Sequence, residues 1–479
     1  MRRIFLFLLM VVFFLTSHTF AAWRPGEMLV QIDISEQSEF QKLIDQKFTI
    51  DRVTDNLVDI LVTPQELNQL QSLGYQPRIL IPDMAEYSQH LLSSPEMASY
   101  HDYNTARLLV DSLISAFPNL IEKHVYGTSL LGRELYAVKI SDNVHIDENE
   151  PEISFDGGHH GDEIMGAEVI ILLMKDLCVQ YGNNPQITGF VNNREIWIFP
   201  FINPDGRMAM SRYNNAGVDI NRDWGYMWDA WGGSIARLSQ PESQAPRAWV
   251  NENQFVISQT NHGGTESVSY PWSYRSNQCP DHYPIDFLAA GYSSTSGYAS
   301  LPYFQGSQGM YFINGSAKDS FYGLMGTVGW TMEVSMDKTP PSSQIPLYYG
   351  YNKPAMLYLI EMASRGVKGL VTDASTGNGI AAIIWVSNSS GDFWPIYSDP
   401  VVGDFHKFVL PGTYDVTITA NGYQPVTVQN VTVVDTGATP VNVQLQPQTG
   451  TYGYRIVYSQ IPNNNESDEG YTPAALAAP

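Results

Sequence analysis

The chain has 479 residues, with 26 Lys and Arg against 49 Asp and Glu, a formal net charge of −23 at pH 7. So acidic a chain argues against nucleic acid or an anionic membrane as partner, and its length leaves room for two to four domains. Two cysteines cannot form a disulfide framework: Cys178 falls in an apolar helical run and reads as a buried thiol, and Cys279 lies in a polar loop, with a single bridge between them as the alternative.

Residues 1–22 read as a secretory signal. Arg2 and Arg3 form the charged start, 4–15 the apolar core, and Thr19-Phe20-Ala21-Ala22 the cleavage region. The apolar run is too short to span a bilayer and no later run is long enough, so the expected product is secreted or periplasmic. Residues 23–99 read as an α+β unit and a linker. Strands are expected at 28–32, 58–62 and 78–81. One helix carries Phe40, Leu43 and Ile44; a second starts at Pro64, carries Leu67, Leu70 and Leu73, and stops at Gly74. The polar stretch 82–99 is predicted to be a linker. A small unit between a signal and a larger domain suggests a removable prosegment, with a permanent accessory domain as the alternative.

Between 100 and 365, strand patterns alternate with longer helical ones, which predicts an α/β domain with a largely parallel or mixed sheet. A helix carries Leu108, Leu109, Leu113, Ala116 and Phe117 and stops at Pro118. Strands are expected at 135–140, 152–155, 195–201, 255–260 and 329–334, and a final helix at 355–364 after a Pro- and Tyr-rich stretch. From 366 to 447 short alternating runs separated by Pro411-Gly412 and Asn421-Gly422 predict a small antiparallel β-sandwich. The tail, 448–479, is rich in Asn, Ser and Pro and reads as disordered.

The stretch Gly157-Gly158-His159-His160-Gly161-Asp162-Glu163 joins a strand to the apolar helix that begins near Gly166. A histidine and a carboxylate three residues apart can turn toward one point, and a distant third donor would complete an open zinc site. His160 with Glu163 and His159 with Asp162 both have that spacing, so the residues alone leave the register open. His262, ending a strand, is a suitable third donor, although a hydrogen-bonded core histidine is the blander reading. Glu333 lies within Trp330-Thr331-Met332-Glu333-Val334, where an unpaired carboxylate is costly. It is expected either to pair with a cation or to act as a base with a raised pKa.

Taken in order, these stretches resemble the zinc metallocarboxypeptidases, and most closely the branch that carries a transthyretin-like sandwich after its catalytic domain. The resemblance runs from 100 to 364 through Gly158-His159-His160-Gly161-Asp162-Glu163, Asn203-Pro204-Asp205-Gly206, Gly217-Val218-Asp219-Ile220-Asn221-Arg222, His262-Gly263-Gly264 and Glu333-Val334-Ser335-Met336-Asp337-Lys338. The sandwich contributes Pro411-Gly412-Thr413-Tyr414. The resemblance implies one Zn2+ per chain on His160, Glu163 and His262, with Asp219 orienting a ligand histidine. It implies Glu333 as general base and Arg212 facing the scissile carbonyl. Asn221 and Arg222 would hold the substrate's terminal carboxylate, and Tyr311 would be the mobile tyrosine. The implied substrates are the C-termini of peptides or proteins.

Two positions depart from relatives that remove basic residues. Ser273 stands where those carry an aspartate, eleven residues after His262, and Lys318 stands at the pocket base, seven after Tyr311. A lysine there predicts a preference for C-terminal Glu or Asp, with an apolar pocket as the alternative if Lys318 reaches solvent. The competing reading of the whole site is a zinc amide hydrolase of another kind, such as a cell-wall peptidase or a deacylase.

Overall fold

The computed structural model describes residues 23–54 and 56–448; the signal reading (1–22) and all of the tail beyond Gln448 lie outside the described residues. Three β-structured units follow one another along the chain. The first is an antiparallel sheet in the order Thr49–Thr54, Leu57–Val62, Met28–Asp33, Arg78–Ile81. Its core joins Val30, Ile32 and Ile60 to Phe40 and Leu43 of the helix Gln37–Asp45 and to Leu70 of the helix Pro64–Ser72. Thr63 caps that second helix in a reciprocal box with Glu66. The strand Thr49–Thr54 was not legible, because a register shift between Ile50 and Arg52 breaks its alternation.

The stretch expected to be a linker is instead largely helical. Met84–Leu92 is capped by Asp83, whose carboxylate accepts the Glu86 N–H. Ser88 fixes this helix from within: its Oγ accepts from Trp23 Nε1 at 2.7 Å and donates to the Met210 carbonyl at 2.9 Å. Docking against Met210, rather than any strong periodicity of its own, gives the segment its structure.

The central unit is built on an eight-stranded mixed sheet. Its order is Tyr303–Gln305, Ser267–Tyr270, Val328–Glu333, Phe255–His262, Glu152–Gly157, Glu195–Phe199, Glu134–Ile140, Ile121–Thr128. The middle four strands run parallel, and their residues are buried along their length. The helix Ile164–Gln180 is apolar on nearly every side and is buried accordingly. Gly166 lets it touch the sheet: a Cβ there would lie 2.9 Å from the Asn261 carbonyl carbon. The last helix, Ile345–Met362, begins ten residues before its expected start. Pro346 occupies its first turn, where no N–H is needed, and Pro354 is accommodated inside by burial of Ala355, Met356 and Leu359.

The third unit packs one sheet (Asp404–Lys407, Gly366–Asp373, Ala438–Pro440 and Val443–Leu445) on another (Gly391–Asp392, Ile383–Asn388, Gly412–Thr419, Val426–Val433, with Ile396–Tyr397). It is not wholly antiparallel, because Ala438–Pro440 and Val443–Leu445 return alongside Gly366–Asp373 in the same direction. Val426–Val433 is one continuous strand whose apolar alternation changes phase partway along it. Asn430, at φ 58°, resets its alternation at an irregularity opposite Asp415. Cys178 and Cys279 are both buried free thiols. Among the described residues no helix is long and apolar enough to cross a membrane.

Candidate functional site

The polar residues singled out in the sequence gather at the carboxyl ends of the parallel strands, where an open α/β sheet leaves a crevice. The register sets this directly. Glu333 and His262 end adjacent strands opposite one another, and Ser267 faces Glu333 from the other side. The turn that follows Glu152–Gly157 brings His160 and Glu163 to the same edge. Its backbone is pressed so closely against the neighbouring loop that a Cβ on Gly161 would lie 1.9 Å from the Gly206 carbonyl carbon. Asn203 braces the same turn, accepting the Gly206 N–H at 2.9 Å and donating to the His159 carbonyl at 3.2 Å.

His160, Glu163 and His262 are all buried, and their ligand atoms lie within 4.8 Å of one another. His160 Nδ1 is 2.9 Å from Glu163 Oε1, and His262 Nδ1 is 2.7 Å from Glu163 Oε2. Burial opposes the charge on Glu163, but the two imidazoles outweigh it and hold the carboxyl well below its usual range. Burial pushes the His262 imidazole down to about 3. The other nitrogen of His160 meets Asp219 Oδ1 at 3.0 Å, and Asp219 Oδ2 accepts from Arg212 Nε and Nη2 at 3.1 and 2.8 Å. This donor set fits a zinc ion: two imidazoles and a carboxylate converge, and the outer nitrogen of one imidazole is fixed by a second carboxylate. His159 does not join them. It stacks behind His262 with ring centroids 5.4 Å apart, and its Nδ1 lies 3.3 Å from Asp156. Asp162 turns to Lys338.

The donors open into a cavity of about 430 Å³ that is also lined by Arg212, Asn221, Arg222, Tyr311, Lys318 and Glu333. With Nε and Nη2 committed to Asp219, Arg212 keeps Nη1 beside the donors, 3.7 Å from Glu163 Oε1. Burial, then the neighbouring Glu163 carboxylate, pushes Glu333 up to about 8. Asn221 bridges two elements: its Oδ1 accepts the Ala317 N–H at 3.0 Å, and its Nδ2 faces His262 Nε2 at 3.2 Å. Arg222 lies over the Trp231 ring and donates to the Asn221 carbonyl, while Lys318 donates to Ser269 Oγ at 2.5 Å. Among the described residues neither cation is ion-paired. Burial lowers Lys318 to about 8.

Ser273 is the predicted substrate-binding residue that does not line the cavity. It is fully buried, yet close to Lys318: the space that Gly306 leaves without a Cβ is bordered by Ser273 Oγ, 2.3 Å from where that Cβ would be, and by Lys318 Nζ, 3.0 Å from it. Ser269, two strand positions after Ser267, takes the place across from Lys318, and nothing in its sequence setting marks it. The N-terminal unit supplies further wall through Ile34, Phe40, Ile50, Asp51 and Arg52. Asp51 meets Lys338 at 2.5 Å, and Tyr311 packs edge-on against Phe40 with centroids 5.8 Å apart. These contacts join residues far apart in the chain and were invisible beforehand.

Residues 108–355 match the family model described as zinc carboxypeptidase, and residues 366–446 match the carboxypeptidase regulatory-like domain. The chain is 29% identical over 413 residues to carboxypeptidase D of Mus musculus, covering 80% of this chain and 29% of that protein. It therefore spans under a third of the length of that relative. It is 30% identical over 414 residues to the carboxypeptidase N catalytic chain of Homo sapiens, covering 74% of this chain and 87% of that one. In fold it is similar to the carboxypeptidase A of Helicoverpa armigera, with a TM-score of 0.60 at 17% identity over 71% of this chain and 97% of that one. A crystal structure of thrombin activatable fibrinolysis inhibitor matches with a TM-score of 0.58 at 17% identity, covering 70% and 98% of the two chains.

The donor geometry makes a direct prediction for metal content. His160→Ala and His262→Ala should each lose bound zinc on dialysis, whereas His159→Ala should keep it, as read by metal analysis of the purified proteins. Zinc lost from His159→Ala but retained by His160→Ala would reverse the register.

Proposed function

Because this chain belongs to the zinc carboxypeptidase family, we propose that it is an exported zinc metallocarboxypeptidase that hydrolyses the C-terminal peptide bond of peptides or proteins, with a preference for acidic terminal residues. One observation carries the reading. The cavity that holds the converging His160, Glu163 and His262 also holds two cations, Arg222 and Lys318, that form no direct ion pair among the described residues. An exopeptidase selective for acidic termini needs that combination: a metal centre, a cation for the terminal carboxylate, and a second cation for the side chain.

Those three residues would hold one zinc ion per chain, which would supply Lewis acidity and lower the pKa of a water. Glu333 takes the proton of the attacking water and returns it to the leaving amine. Its raised pKa suits both halves of that cycle. Arg212 Nη1 donates to the carbonyl oxygen as negative charge develops, and the Asp219 carboxylate holds the guanidinium in place for it. The planar fork of Arg222 takes the terminal carboxylate in two contacts. Asn221 adds one amide hydrogen, and Tyr311 swings in to cover the substrate. Export rests on the signal-like residues 1–22.

The N-terminal unit is a removable prosegment in this reading. It shares the cavity that substrate enters, holds Tyr311 against Phe40, and is tethered by the Asp51–Lys338 pair. Protein cut after the helix Met84–Leu92 should hydrolyse peptides faster than the uncut protein. Equal rates before and after cutting would make the unit a permanent accessory.

The reaction itself is tested with peptides that differ only at the terminus. The free acid should be cleaved and its C-terminal amide resisted by at least about a hundredfold in kcat/KM, the scale of losing a buried charged hydrogen-bond pair. Equal cleavage of both would favour an amide hydrolase of another kind. Glu333→Gln should keep zinc and peptide binding and lose kcat by about two to four orders of magnitude. Near-normal turnover would remove Glu333 from the chemistry.

Terminal preference is tested with Glu, Phe and Lys peptides, expected in that order of kcat/KM and reordered toward Lys in Lys318→Asp. Burial has lowered the Lys318 pKa to about 8, so the ammonium persists below that pH and is lost above it. The Glu-to-Phe ratio of kcat/KM should therefore fall as pH rises through about 8, with effects common to both substrates cancelling. Faster cleavage of Lys than Glu by the wild type would sink the preference.

A further inference from the structure

We propose that Lys407 of the β-sandwich, acting with Trp394, is a positioning residue for the pocket that reads the terminal side chain. The inference rests on the acidic-preference reading above and adds a role for the sandwich in it. Lys318 sits in the first turn of the helix Ala317–Met325, and Tyr322 stands four residues on. Residues at that spacing share a helix face, so whatever fixes Tyr322 fixes the rotation of the helix and the direction of Lys318.

Tyr322 is fixed through Asp281. Its hydroxyl donates to Asp281 Oδ2 at 2.6 Å, and the same oxygen accepts the Trp394 N–H at 2.9 Å. The other carboxylate oxygen lies 2.8 Å from Lys407 Nζ, with side-chain exposures of 2% for Lys407 and 1% for Asp281. Lys407 belongs to the sandwich strand Asp404–Lys407, and Trp394 to the segment leading into Ile396–Tyr397. A carboxylate this buried requires a cation, and the sandwich supplies it.

Two more contacts bring the sandwich onto the same helix. Trp394 Nε1 donates to the Gly323 carbonyl at 3.2 Å, and the left-handed cap at Gly326 abuts Pro395, whose carbonyl oxygen would be 2.1 Å from a Cβ there. The Trp394 ring lies 5.7 Å from Trp272 and 5.9 Å from Tyr322. Asp319, next to Lys318, accepts the backbone N–H groups of Ser273 and Tyr274 and so ties the helix to the loop that follows Ser267–Tyr270. The sandwich thereby sets where the Lys318 ammonium stands relative to Ser269.

The test uses the zinc-loaded, full-length protein and its Lys407→Met, Lys407→Arg and Trp394→Phe variants, with Glu- and Phe-terminated peptides and amide hydrogen exchange. Lys407→Met should lose about tenfold or more in kcat/KM on the Glu peptide through KM, with the Phe peptide changed by less than about twofold. Lys407→Arg should restore most of the loss. Exchange should quicken about tenfold or more at 317–325 while 345–362 stays protected. Trp394→Phe, which keeps a ring but removes the donor to Gly323, should shift both readouts the same way by a smaller amount, and it decides the matter if Lys407→Met does not fold. Equal losses on both peptides without rescue by arginine, or unchanged exchange at 317–325, would overturn the proposal. A wild type with no preference for Glu would overturn the specificity reading beneath it, and the exchange arm would still report whether Lys407 holds the helix.

Discussion

The structure depends on a set of charges brought together, out of water, at the carboxyl edge of a parallel sheet. Glu163 lies between two imidazoles, Asp219 between His160 and Arg212, and all five side chains are at most 5% exposed. Removing one member of such a network strands its partner, at a cost of about 3–5 kcal/mol, so the surrounding loops are built to hold every member. Gly161 presses one loop against Gly206, Asn203 braces it, and Asn221 links His262 to the start of the helix Ala317–Met325. Glu333 is the exception within this group. It is buried beside a like charge and its pKa rises instead of falling, which separates the two carboxylates by protonation although they share one cavity.

The other two units approach that edge from different directions and in different ways. The N-terminal unit meets it with a partly buried ion pair, Lys338 with Asp51, and an aromatic contact from Phe40 to Tyr311. Lys338 also lies 3.6 Å from Glu163, so this ion pair is two contacts from the donor carboxylate itself. Among the described residues the sandwich contributes none to the cavity wall. It meets the central unit through a nearly inaccessible pair, Lys407 with Asp281, set among Trp272, Tyr322 and Trp394. The N-terminal unit has a buried seam as well, in which Tyr213 donates to Glu27 at 2.9 Å and packs edge-on against Trp23.

Much of the site was legible because metal chemistry uses few residue types at fixed spacings. The His-x-x-Glu turn at a strand-to-helix junction, a histidine ending a later strand and a carboxylate inside an apolar strand are local signals. The register between His160 and His159 was not local. Resemblance to a known family supplied it, and in the structure Asn203 on the His159 carbonyl and Asp219 on His160 are what hold the two rings apart. The segment 82–99 was misread because docking gives it structure: Ser88 reaches Trp23 and Met210 across long stretches of chain.

By itself, then, the sequence determined the alternation of strands and helices from 100 to 365, the strand ends that carry His262 and Glu333, and the identity of the lysine at 318. These follow from periodicity and residue chemistry within a few turns of chain. Only the tertiary structure decided that the lysine bonds Ser269, with Ser273 Oγ close by across the space that Gly306 leaves without a Cβ. It alone decided that Asp51 and Phe40 reach the cavity and that Lys407 neutralises Asp281. Each of those contacts joins residues more than a hundred positions apart, where the cost of closing the chain is met by packing elsewhere in the fold and leaves no trace in local sequence.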